Sequence, residues 1–159
     1  MNHTTKLLCG IILLTVPSIQ YGGYFLLQVL SGKMNKIQLT DFQRSMFRAG
    51  HAHAGVLVIF SLVAEILTDY TSLSTLTEWI VRIGFPLAAI LISVGFFAAA
   101  IGKNITAPTR SIWLLYLGII ILAVSLVILG IGLIQSSWSS FVTKALSFNP
   151  IIITDLFIC

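Results

Sequence analysis

Charge is what this chain of 159 residues has least of. Only 9% of it is Asp, Glu, Lys or Arg, against roughly 25% in an average soluble domain. By contrast, 57% is hydrophobic and the mean hydropathy is +1.02. A water-soluble globular domain is therefore excluded, and an integral membrane protein is expected. Cysteine is almost missing as well. Cys9 and Cys159 are the only two, so there is no CxxC pair, no metal cluster and no disulfide framework. Catalytic triads and phosphate-binding loops are absent too, which leaves any enzymatic reading resting on two histidines. A further absence is alternation: the run LLYLGIIILAVSLVILGIGLI never alternates apolar with polar residues as the strands of a transmembrane barrel do.

What is present is enough apolar sequence for four helical spans of roughly 20 residues each. They are expected at about 7–30, 49–68, 80–101 and 111–135, giving an all-α, four-helix membrane bundle of a single domain. Lys6 followed by LLCGIILLTV is read as a retained span and not as a cleaved leader. Lys33, Lys36, Arg44, Arg48, Lys103 and Arg110 fall in the first and third connections, whereas Lys6, Arg82 and Lys144 fall on the opposite side. The positive-inside rule then places those connections in the cytoplasm of a bacterial cell and both termini outside. A net charge of +4 thus reflects topology and attraction to anionic lipid, with no call for nucleic acid. After the fourth span, Trp138, Phe141, Val142, Ala145 and Leu146 recur at helical spacing. They predict a short interfacial helix, with an apolar tail after Pro150 that is too short to cross, so that 136–159 forms an interfacial tail.

The most unusual stretch is FRAGHAHAG at 47–55, which carries an arginine and two histidines into the second span. Thr40-Asp41-Phe42-Gln43 fits a capping box, so this helix should begin near residue 40, before the membrane. At about 100° per residue, Arg48, His51 and Gly55 share one face, which continues to Glu65 and Asp69. His53 points elsewhere, so the two histidines cannot hold one metal between them. Ionisable groups inside spans face the bundle interior or a cavity, and here Ala49, Gly50, Ala52, Ala54 and Gly55 surround them with small side chains. The inner half of the first span is polar and rich in glycine (Gln20, Tyr21, Gly22, Gly23, Tyr24, Gln28) and lies at the same depth. A pocket near the cytoplasmic face lined by Tyr24, Gln28, Arg48, His51, His53 and Gly55 is therefore expected. In the third and fourth spans Gly84, Pro86, Ala88, Ala89, Ser93, Gly95, Gly118, Ser125, Gly130 and Gly132 are read as marks of tight helix contacts and a kink. Glu78 and Arg82, four apart, are expected as a surface pair, and Glu65 and Asp69 as solvated charges at the outer end.

The motif RAGHAHAGVL, with a Gly- and Tyr-rich first span before it and LGIGLI closing the fourth, resembles that of small four-helix bacterial membrane proteins whose activity is unassigned. His-x-His at the start of a span is similar to the haem-ligating helix of haem-copper oxidase subunit I, a resemblance that implies His51 or His53 as an axial ligand. A His followed by Gly in the second span is also similar to the hydroxylaminobenzene mutase family. Three classes of function follow. The first is binding of a small molecule, lipid head group or haem at Arg48 and His51. The second is an enzyme or proton-coupled transporter using His51. The third is an accessory subunit, or a homodimer, joined to a partner membrane protein through small-residue faces.

Overall fold

A computed structural model describes residues 1–33 and 38–148. Its regular elements are all helical: α1 (His3–Leu30), α2 (Asp41–Thr68), α3 (Thr75–Ala98) and α4 (Trp113–Phe148), the last entered through a 3-10 turn at Arg110–Ile112. All four are long and apolar enough to cross a membrane. Their starts follow from local chemistry. Asn2 accepts from the Thr5 N–H, Ser74 accepts from the Thr77 N–H, and Thr40 with Gln43 closes the reciprocal capping box, so α2 begins at Asp41, before the membrane run.

The helices run up and down in chain order, α1 against α2, α2 against α3, and α3 against α4, with a lesser contact between α2 and α4. One end of the bundle carries the start of α1 and the connection 69–74. The other, which we call the basic end, carries exposed Lys33, Arg44, Arg48, Lys103 and Arg110. Helix α3 is the centre of the packing: 50% of its most apolar stretch is buried, against 11% for α1. Its core contacts are Val81 and Phe85 with Ala64 and Leu129, and Ala89 and Ile92 with Leu57. Glycine lets α3 and α4 come this close. A Cβ at Gly84 would fall on Ser125, one at Gly95 would lie 2.5 Å from the Leu115 backbone nitrogen, and one at Gly118 2.9 Å from that of Ile92. Gly84, Gly95, Gly118 and Ser125 thus mark close helix contact, whereas nothing lies within 4 Å of a Cβ at Gly130 and one at Gly132 would meet Leu73 of the connection 69–74.

At the basic end the start of α2 holds the connection that follows α3, while Thr109 takes up the carbonyls of Ala98 and Ala99. The buried Gln43 amide donates to Ala100 O at 2.8 Å and to Gly102 O at 2.9 Å, and the Thr40 hydroxyl donates to Ile105 O. The fourth helix differs from expectation. It runs on as one helix to Phe148 with no separate interfacial segment. Its 36 residues measure about 54 Å, well beyond a bilayer core of about 30 Å. The reason is local: no glycine or proline interrupts 136–148, and the hydroxyls of Ser139, Ser140 and Thr143, poor helix formers, find carbonyls within the helix and leave its backbone unbroken. The apolar tail expected after Pro150 lies outside the described residues.

Candidate functional site

The two histidines of α2 face different neighbours, as helix geometry requires. His51 is half-buried and turns toward α1, where the Nε2–Cε1 edge of its ring lies on Gly23; a Cβ there would be 2.7 Å from Nε2. Glycine at 23 is what lets the ring in. His53 is exposed, with Nδ1 2.8 Å from Ala49 O and its ring 4.9 Å from that of Phe96 on α3. Arg48 and Tyr24 are exposed, whereas Gln28 and Gly55 are half-buried. A haem iron on Nε2 of His51 would need the ring edge that Gly23 covers, at a metal–nitrogen distance of about 2.0–2.1 Å. Ligation through Nε2 of His51 would need α1 to move. Nε2 of His53 is left open by the contact at Nδ1, the arrangement usual for a ligating imidazole, but among the described residues no group of three or more His, Cys, Asp or Glu is placed to hold a metal.

The same three helices enclose a cavity. A groove of about 420 Å³ lies between α1, α2 and α3, within the range of about 300–1,000 Å³ common for small-molecule sites. Its walls are Ile11, Ile12 and Ile19 of α1, Ala54 and Val58 of α2, and Pro86, Ala89 and Phe97 of α3. Four hydroxyls dot this apolar lining: Thr15, Ser18, Ser61 and Ser93. The first three donate to carbonyls of their own helices, Ile12 O, Thr15 O and Leu57 O respectively. Ser93 is 7% exposed, and its Oγ has no hydrogen-bond partner. The basic end of the groove is fixed by register. His51 is three residues from Ala54 and Gly23 four from Ile19, so the His51–Gly23 contact sits one turn beyond the lining. Phe97 stands at the same level, because a Cβ on Gly50 would lie 3.1 Å from its ring. None of the six residues expected to form a pocket lines this groove; Gly55 lies at its depth, between Ala54 and Val58, but outside the lining.

A second polar assembly sits at the opposite end, where solvated charges are expected from the sequence. Here the expectation is corrected. Arg82 is 2% exposed and Glu65 1%. Arg82 Nη1 donates to Glu65 Oε2 at 2.6 Å and to Thr5 Oγ1 at 2.9 Å; Nη2 donates to Asp69 Oδ1 at 2.9 Å, and Nε to Glu78 Oε1 at 2.8 Å. The i, i+4 pair of Glu78 and Arg82 does form, but as one edge of a buried network joining α1, α2 and α3. The signal was available: Glu65 and Asp69 stand four apart on α2, Glu78 and Arg82 four apart on α3, and only residues 69–74 separate the two helices. So short a connection sets the two charged faces against each other.

Asp69 lies just past the end of α2, outside the span. Burial disfavours its charge, but hydrogen bonds from the Thr5 hydroxyl, the Asn2 N–H and Arg82 outweigh that and hold the carboxyl down at about 2, below the ordinary value of about 3.9. An unfolded chain takes up this proton first as pH falls. The stabilisation from Asp69 is therefore complete above about pH 4 and is lost as pH drops through about 2. Thermal melts in detergent at a series of pH values should show wild-type protein losing stability across this window faster than Asp69→Asn. Parallel curves for the two proteins would contradict the assignment.

Fold and site together define a small all-helical protein with four helices fit to cross a membrane, an apolar groove dotted with hydroxyls, and a histidine at one end of that groove. Comparison with known proteins finds no matching family model, no matching curated protein and no matching solved structure.

Proposed function

We propose that this protein binds an amphiphile of the bacterial cell membrane, its apolar chain in the groove and its anionic head group at the basic end beside Arg48 and His51. The observation that carries the reading is the groove of about 420 Å³ ending one turn from the His51–Gly23 contact. An apolar trough flanked by an imidazole and exposed cations suits a molecule that is greasy along its length and charged at its tip. With the basic end in the cytoplasm, as the distribution of Lys and Arg favours, the ligand comes from the inner leaflet. A proton relay from His51 finds less support, since Glu65, the carboxylate it would need, is already engaged by Arg82 and lies about 21 Å along the helix.

The test is retention of lipid by protein purified in detergent, read by native mass spectrometry after exchange with phosphatidylglycerol or phosphatidylcholine. Wild-type protein should retain phosphatidylglycerol preferentially. Val58→Trp, which fills the groove, should abolish retention of both. Arg48→Ala should cut the preference for the anionic lipid about fivefold, the effect of about 1 kcal/mol per basic residue near a head group. Unchanged retention by Val58→Trp would sink the proposal.

A further inference from the structure

The hydroxyls of the groove are not equivalent, and the odd one identifies the ligand further. Thr15, Ser18 and Ser61 are each satisfied by a carbonyl of their own helix. Ser93 lines the same groove, is more than nine-tenths buried, and leaves its Oγ with no partner. A buried hydroxyl without a hydrogen bond is costly in an apolar wall. Because it has no bond to give up, a turn about Cα–Cβ that aims it at a ligand sacrifices nothing. Resting on the amphiphile reading above, we infer that Ser93 is the residue that reads the ligand, donating to a carbonyl oxygen of an ester-linked lipid.

Depth along the helix supports the ester. Phe97 marks the level of the groove mouth, and Ser93 is four residues further in, about 6 Å along α3. With a phosphate at the mouth, an oxygen about 6 Å below it corresponds to a few covalent bonds of about 1.5 Å each, which is the place of the glycerol ester in a diacyl phospholipid. Beyond Ser93 the α3 wall is Ile90, Ala89 and Pro86, suited to the acyl chain alone. A free hydrocarbon offers Ser93 nothing, and an ether lipid offers a poorer acceptor than a carbonyl.

The discriminating experiment compares diacyl with dialkyl phosphatidylglycerol of equal chain length, competed for the wild-type protein and for Ser93→Ala in detergent. Wild type should favour the ester-linked lipid about fivefold, the fold-change of one ordinary hydrogen bond. Ser93→Ala should lose that preference, and a thermal melt in detergent that matches wild type reports that the variant is folded. Equal retention of ester and ether lipids by wild type, or a preference that survives in Ser93→Ala, would overturn the role of Ser93 and leave the amphiphile reading standing. Retention of neither lipid by wild type would overturn both.

Discussion

Replacing Arg82 with methionine is expected to destabilise the protein by about 3–5 kcal/mol, the usual consequence of removing one partner from a buried ion pair. One guanidinium here serves Glu65, Asp69, Glu78 and Thr5 at once. Without it, Glu65 is left 1% exposed with neither carboxylate oxygen hydrogen-bonded, since Oε1 already has no partner. Lysine would rescue little, because its ammonium is a compact point charge and cannot reproduce the planar fork that spans three helices. The double variant Arg82→Met with Glu65→Leu should recover much of the loss, because a buried pair replaced by apolar side chains of similar size is often close to neutral. Thermal unfolding in detergent would measure this as a fall of about 10 °C or more for the single variant and a smaller one for the double. A single variant that melts with wild type would show that the network contributes nothing.

Gly95→Val is expected to be as damaging at the other end of the bundle. A Cβ at 95 would sit 2.5 Å from the nitrogen and 2.7 Å from the Cα of Leu115. These are backbone atoms of α4, which cannot swing aside as a side chain tip can. The helices must separate, and Gly118 against Ile92 lies on the same seam, so the loss spreads along it. Gly55→Ala is the control: nothing lies within 4 Å of a Cβ there, and replacing a mid-helix glycine with alanine should stabilise by about 0.5–1 kcal/mol. Size-exclusion profiles and melting temperatures of the two variants should move in opposite directions. Equal behaviour would mean that the close approach of α3 and α4 is dispensable.

Much of the fold was legible in the sequence because its causes are local. Apolar run length gives the four helices, the Thr40–Gln43 spacing gives the start of α2, and the angle between successive residues separates His51 from His53. Gly84, Gly95 and Gly118 could be read as contact points, since a missing side chain is itself the signal, but the same reading of Gly130 fails, because nothing lies within 4 Å of a Cβ there. What could not be read is which faces meet. Arg82 looks like a surface residue until α2 and α3 are folded back on each other, and only then do Glu65 and Asp69 arrive beside it. The groove has the same origin. Its α1 and α2 walls lie next to FRAGHAHAG and the paired glycines 22 and 23, but its third wall and the unpartnered Ser93 come from α3, where nothing in the spacing marks them as different from other buried small residues.

The network at Arg82 also bears on the order in which the protein comes together. Glu65 and Arg82 are 17 residues apart, whereas Thr5 and Arg82 are 77 apart. Because the connection at 69–74 is short, the α2–α3 hairpin can neutralise its own charges as it enters the bilayer, which removes much of the cost of carrying an arginine there. Helix α1, synthesised first, finds Asp69 for its Thr5 hydroxyl once α2 is complete, but its bond from Arg82 waits for α3. The link between the first and third helices is therefore the one edge of the network that needs the greatest length of chain, 77 residues, before it can form.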